Sequence, residues 1–331
     1  MKKNLLFILG MLIALPGFAR TFTYTYEGQT LKYEVLDEES KTCQTQLGDI
    51  LPPLNPEDST EPIRYRPGNK VSGDLILPSH PEDENGEKYT LTKIGYLGFC
   101  CNENLSSVSI PETVKNIEDD AFRGCSRLWK VTLSDGVETI DYSAFAECTN
   151  LLEITLPKSL KYIRSGVFMD CSRLQEIILP DALESISSYA FYGCSNLTTV
   201  TLPQSLTYLG GGAWAYCDAI KTINCYMTEP ITAKRDLFSE DVYNSATLYV
   251  PAGSVEAYKN TEPWSYFYNI KTLAESGVEN IPNIEDVAID FTLPYEVFNL
   301  NGVKVAESTV ILPVGIYIIR QGNAVKKIAV K

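Results

Sequence analysis

Apolar residues return along this chain at a fixed interval of 23 residues. With Val108 as position one, units begin at Val108, Val131, Ile154, Ile177 and Val200, and the register never slips across them. Position three is Ile110, Leu133, Leu156, Leu179 and Leu202, and position seven is Val114, Val137, Leu160, Leu183 and Leu206. Position ten is Ile117, Ile140, Ile163, Ile186 and Leu209. An aromatic slot follows at Phe122, Phe145, Phe168, Phe191 and Trp214. Three residues later comes Cys125, Cys148, Cys171, Cys194 or Cys217, then Leu128, Leu151, Leu174, Leu197 or Ile220. One such unit cannot bury its apolar face alone. Stacked units can, which makes this periodicity the signature of a solenoid.

Within each unit the Val-x-Leu-Pro segment alternates as a short strand closed by proline, which cannot donate to a ladder. Successive strands are expected to lie parallel about 4.8 Å apart, so that equivalent side chains form columns. The segments before the aromatic, "DDAF" and "DYSAF", predict a turn or a short helical piece. An earlier unit begins at Leu75-Ile76-Leu77-Pro78 and carries ten extra residues, rich in Pro, Glu, Asp and Gly, before Ile94. Phe99 and Leu105 then return to register, with Asn102 in the cysteine slot.

The thiol column tests the solenoid reading. Stacked thiols would stand about 4.8 Å apart and point the same way, whereas a disulfide wants Cβ atoms nearer 3.8 Å and a dihedral near 90°. A tetrathiolate metal site needs converging ligands, and a column diverges. The five column cysteines therefore read as buried thiols acting as small hydrophobes. Cys43, Cys100, Cys101 and Cys225 lie outside the column. A bridge from Cys43 to either Cys100 or Cys101 stays open, and an odd total of nine leaves at least one cysteine unpaired.

Lys2 and Lys3 precede an apolar run from Leu5 to Leu15, and Gly17-Phe18-Ala19 offers small residues for cleavage. Residues 1–19 read as a secretory signal peptide, too short for a membrane span. No cysteine follows Ala19, so a lipoprotein anchor is not expected. Without that leader, 26 basic residues face 42 acidic ones, a net charge of −16. Such a surface repels nucleic acid and anionic lipid. The single histidine, His80, lies in a loop, which argues against Ser-His-Asp and Cys-His catalysis and most zinc chemistry. No cofactor and no enzymatic activity are expected.

The recurring "LP-x-x-L-x-x-I-x-x-x-A-F-x-x-C-x-x-L", seen from Ile154 to Leu174 and in its neighbours, resembles the BspA-like class of bacterial leucine-rich repeat proteins. Leucine-rich repeats accept Asn or Cys at this turn, which accommodates Asn102. The resemblance implies a leucine-rich repeat solenoid of 23-residue coils with short parallel strands, mostly β and turn. Residues 20–74 would form a β-rich N-terminal cap and 75–273 the solenoid with its closing repeat, where Tyr258, Trp264 and Phe267 cover the last coil. Residues 274–284 read as a linker, and 285–331 as a small C-terminal antiparallel β domain. That tail is similar to type IX secretion sorting domains through Asn301-Gly302, Gly315-Ile316-Tyr317 and Lys327-x-x-x-Lys331. The family resemblance implies an exported cell-surface protein engaged in attachment, with a host or microbial surface protein as partner. It assigns no catalytic or ligand residues.

A binding surface must then come from outward positions. Ser109, Thr132, Thr155, Ile178 and Thr201 are expected to face out, as are Lys130, Glu153, Glu176 and Thr199. Threonine there also serves strand formation alone. Trp129, Tyr142, Tyr162, Tyr189, Tyr192, Tyr208 and Tyr216 occupy positions that are not inward in the repeat. Rigid rings with a polar end suit protein or glycan recognition. The bland alternative makes them cladding over neighbouring turns.

Overall fold

The computed structural model describes residues 20–51, 64–276, 295–298, 304–307, 315–321 and 324–330. The expected leader (1–19), most of the expected linker and Lys331 lie outside the described residues. The fold is a leucine-rich repeat solenoid built of short strands and turns. Lys130–Leu133 pairs in parallel with Leu105–Ile110 and Glu153–Thr155, and Val131 stands beside Val108 and Ile154, an exact 23-residue register. Beyond Pro157, Pro180 and Pro203 a tight turn closes, the N–H of Leu160, Leu183 and Leu206 donating to the proline carbonyl three residues back.

One expected strand does not form. Ile177–Leu179 carries no ladder, and the sheet is split into Gly73–Ile76, Leu105–Ile110, Lys130–Leu133 and Glu153–Thr155 on one side of the gap. On the other side lie Thr199–Leu202, Thr222–Cys225, Thr247–Val250 and Asn269–Thr272. In the outward column Lys130 pairs with Glu153 at 3.0 Å, and Glu176 follows one coil up. Leu179 and Ile177 remain buried all the same.

A second ladder runs at positions nine and ten. Asn116–Ile117, Thr139–Ile140, Tyr162–Ile163, Ser185–Ile186 and Tyr208–Leu209 are two-residue strands in parallel register. The same sheet reaches Thr90–Ile94, Thr42–Thr45 and the antiparallel pair Gln29–Asp37 and Thr21–Tyr26. At the other end Tyr258 and Trp264 are fully buried and Phe267 nearly so. Tyr258 and Trp264 meet edge to face at 5.5 Å, and Phe238 lies 5.6 Å from Phe267. A four-stranded sheet of Glu296–Phe298, Lys304–Glu307, Gly315–Gln321 and Ala324–Val330 is antiparallel throughout.

The third side of each coil is the turn carrying the aromatic and the cysteine. It contains no helix. Its N–H groups point up the stack instead: Phe122 donates to Ala144, Phe145 to Val167, Phe168 to Ala190 and Phe191 to Ala213, at 2.8–3.0 Å. The residues two before and two after each aromatic do likewise, as with Asp120 to Tyr142 and Gly124 to Ala146. This pattern requires a left-handed residue on either side of the aromatic. One column is Leu97, Asp120, Ser143, Gly166, Tyr189 and Gly212; the other is Cys101, Gly124, Glu147, Asp170, Gly193 and Tyr216, all at φ of +52° to +72°.

The core follows these ladders. Phe99, Phe122, Phe145, Phe168, Phe191, Trp214 and Phe238 form one continuous stack with ring centroids 5.2–5.9 Å apart and nearly parallel planes. Cys125, Cys148, Cys171, Cys194 and Cys217 are buried and unbridged. Each thiol donates to the carbonyl of the aromatic residue in the coil below, Cys148 to Phe122 and Cys171 to Phe145 at 3.2 Å. The same carbonyls also accept the backbone N–H of the cysteine in their own coil. In the first coil Asn102 replaces the thiol, donating to Phe99 and Asn69 at 2.8 Å and accepting from Val71. The possible Cys43 bridge is absent: Cys43 is buried in the strand Thr42–Thr45 beside Leu91, and Cys100 and Cys101 are free as well.

Candidate functional site

The seven outward aromatics divide by the side of the coil from which they project. Trp129 stands at the foot of the first strand column, with the Lys130 ammonium 5.6 Å from its ring centroid. Tyr162 and Tyr208 lie on the second ladder, separated by Ser185. Tyr162 is already engaged, with the Arg164 guanidinium 5.6 Å from its ring and its hydroxyl 3.2 Å from Glu184. Tyr142 is exposed beside a hollow of ≈ 340 Å³ lined by Tyr96, Glu118, Asp119 and Asp141, and its N–H donates to Asp119. The Asp141 carboxyl there is held above its ordinary range by burial, with Asp119 adding repulsion and Arg164 opposing it.

Tyr189, Tyr192 and Tyr216 come together on the turn side. Tyr189 meets Tyr192 edge-on at 5.9 Å, and Tyr192 lies 4.9 Å from Tyr216. Tyr189 is 46% and Tyr216 61% exposed, while Phe191 and Trp214 of the same coils are fully buried. Burial of the hydroxyl, followed by the neighbouring Tyr216, raises Tyr192 above the ordinary phenol value.

Two backbone features set this trio. Tyr189 and Tyr216 occupy the two left-handed columns at φ +60°, where bulky side chains are rare. The Tyr189 ring lies against Gly212, so close that a Cβ on Gly212 would stand 2.6 Å from the ring. The missing Cβ of the glycine is what lets the ring approach the next coil this closely. Gly193 serves the same purpose for Asp170, whose carboxylate occupies the space a Cβ would need.

The ladder geometry also explains which charges pair. The residue after each aromatic reaches the second left-handed position one coil up. Arg123 thereby pairs with Glu147 at 2.7 Å while also touching Asp120 at 3.3 Å. The same offset brings Tyr192 to Tyr216. Between them, Ala146 stands where Arg123 stands one coil below, and Asp170 has no Lys or Arg partner among the described residues. Burial first, and the charge of Glu147 second, hold the Asp170 carboxyl above its ordinary range, with Arg123 opposing.

Sequence spacing placed all seven aromatics outside the core but not with one another. The signal for the trio was present in the repeat arithmetic, since Tyr192 and Tyr216 share the offset of Arg123 and Glu147. Exposed Tyr268, 84% accessible, escaped that reading because it follows the last regular coil. His80 is exposed, its Nδ1 3.4 Å from the Thr90 hydroxyl. Among the described residues no three His, Cys, Asp or Glu side chains converge as metal ligands, and no helix is long and apolar enough to cross a membrane. In the C-terminal sheet, Gly315, Tyr317 and Lys327 lie on paired antiparallel strands.

Comparison with known proteins places the repeat. No curated protein matches the chain. Solved structures with a similar fold include a leucine rich cell surface protein from Faecalibacterium prausnitzii (20% identity, 76% of this chain and 73% of that one, TM-score 0.43). The pneumococcal vaccine antigen PcpA is 21% identical over 77% of this chain and 67% of its own, with a TM-score of 0.49. A leucine-rich repeat protein from Bacteroides ovatus is 20% identical over 76% and 77%, with a TM-score of 0.40. Residues 92–230 match the family described as BspA type Leucine rich repeat region, in 6 copies.

Proposed function

We propose that this chain is an exported, non-catalytic protein of a bacterial surface whose solenoid binds other proteins, with Tyr189, Tyr192 and Tyr216 as the centre of the contact. The observation that carries the reading is the joining of two exposed rings, Tyr189 and Tyr216, through the half-buried Tyr192 into one patch. Tyrosine contributes broad rigid contact area at small entropic cost and a hydroxyl for polar contacts, the composition of interface hot spots. Because the rings rest on a ladder that is hydrogen-bonded at every coil, they are preorganised, and little ordering remains for the partner to bring about. The lysine-preceded apolar run at residues 1–19 supports export, and the tail from Gly315 to Lys331 supports sorting to the cell surface.

The test is affinity against a panel of purified extracellular-matrix and microbial surface proteins, alongside a glycan array. Tyr189→Ala combined with Tyr216→Ala is expected to weaken the bound protein at least about tenfold, since hot-spot rings commonly contribute 2 kcal/mol or more. Tyr162→Ala combined with Tyr208→Ala should change it by less than about threefold. Unchanged affinity in the first double variant rejects the patch. Binding to glycans alone would instead establish stacking of sugar rings on the same tyrosines.

A further inference from the structure

We propose that the tyrosine patch is a receptor for an arginine side chain of the partner, the guanidinium seated between Asp170 and Tyr192. This rests on the protein-binding reading above and names what the patch recognises.

The chain contains the prototype of the interaction. Arg123 projects from the turn of its coil, ion-pairs with Glu147 in the next coil and with Asp120 in its own, and lies under an aromatic ring, 5.4 Å from the centroid of Tyr65. A planar cation is thus held by carboxylates on its edge and a ring on its face, an arrangement that suits guanidinium better than ammonium. One coil up, one of the two carboxylates recurs without the cation, and Ser143 stands in place of Asp120. Ala146 replaces Arg123, and Asp170 replaces Glu147. Asp170 keeps its place against Gly193, its N–H donates to the carbonyl of Tyr192 at 2.7 Å, and its carboxylate acts electrostatically on the Tyr192 hydroxyl.

Three observations converge on a cationic guest. Asp170 has no basic partner among the described residues, whereas the carboxylates in comparable inter-coil positions do: Glu147 with Arg123, Glu153 with Lys130, Glu184 with Lys161. The exposed rings of Tyr189 and Tyr216 flank the half-buried Tyr192, and aromatic faces attract cations. The chain as a whole is strongly acidic, with a formal net charge of −14, which favours approach of a basic segment. Lys234, whose side chain lies against Gly211, is a basic group near this face, on the far side of Tyr189 from Asp170 in coil order.

The experiment measures binding of the full chain to a fluorescein-labelled Gly-Arg-Gly-Arg-Gly peptide and to the same peptide with citrulline, which keeps the shape and removes the charge. The arginine peptide is expected to bind at least tenfold more tightly than the citrulline peptide. Asp170→Asn should weaken it about tenfold, and Ala146→Arg, which supplies the missing guanidinium from within, should abolish it. Asp170→Asn preserves volume, so its result stands even if Ala146→Arg fails to fold. Equal affinity for the two peptides, or an Asp170→Asn variant that binds like the parent, overturns the arginine site. If the Tyr189→Ala and Tyr216→Ala pair still loses a protein partner in that case, the binding surface survives and only its specificity is refuted. If that pair keeps the partner, the surface itself is refuted.

Discussion

A buried thiol at each turn fills space as a small hydrophobe and also donates a weak bond to the carbonyl of the ring residue one coil down. Alanine would do neither fully, and serine would bury a more polar group in the same dry file. The thiol is kept protonated by this surrounding. Burial pushes Cys125 up to about 12 and raises Cys148, Cys171 and Cys194 as well, with neighbouring thiols adding to the effect at Cys148 and Cys194. These folded values exceed the unfolded thiol value of about 8.5. The folded state therefore holds protons that the unfolded state releases, so stability is complete below about pH 8.5 and declines as pH climbs toward 12. Buried Tyr33, Tyr243 and Tyr258, also raised chiefly by burial, join from about pH 10 upward. The urea midpoint should stay level from about pH 6 to 8 and fall between about 9 and 11, with a shallower fall in Cys148→Ala/Cys171→Ala. A midpoint independent of alkaline pH would contradict the dry environment.

Between the residue and the coil lies the turn that carries the candidate site. Its left-handed positions accept Gly at four of twelve places, and elsewhere Leu, Asp, Ser, Cys, Glu and Tyr adopt the same φ. This spread of residue types hid the ladder from sequence reasoning, since no glycine column marks it. The second ladder was hidden for another reason: strands of two residues, such as Thr139–Ile140, are too short to show alternation. By contrast Val131 to Leu133 alternates visibly and was legible, although the equivalent segment Ile177–Leu179 forms no strand. Holding a bulky residue left-handed costs on the order of 1 kcal/mol relative to glycine. Tyr216→Gly is accordingly expected to raise stability by up to about 1 kcal/mol in urea unfolding while weakening partner binding. Loss of stability in that variant would mean that the ring contributes more through packing on Tyr192 than the backbone loses.

For the whole molecule, one register organises core, ladders and surface together. Phe122, Phe145, Phe168 and Phe191 stack because they share a repeat position, and Asp170 has no Lys or Arg ion-pair partner among the described residues because Ala146 shares a position with Arg123. The fold was legible because each unit restates the same eight or so apolar choices, and consistency across levels marks a sequence that specifies one structure. The site was only half legible. Its residues were recognisable as outward, but their grouping depends on an offset of one coil plus one residue, which only the ladder geometry reveals. The remaining cysteines agree with the register too: Cys100 and Cys225 are buried, and among the described residues Cys101 alone presents an exposed thiol.

Alkylation with iodoacetamide, read as intact mass without any reducing agent, tests the dry, unbridged files most directly. The native protein should take up one label, at Cys101, and the protein unfolded in guanidinium should take up nine, the full cysteine count. Fewer than nine labels after unfolding, or rapid native labelling of Cys148, Cys171 or Cys194, would show that the sulfurs are bridged or wet and would contradict the account.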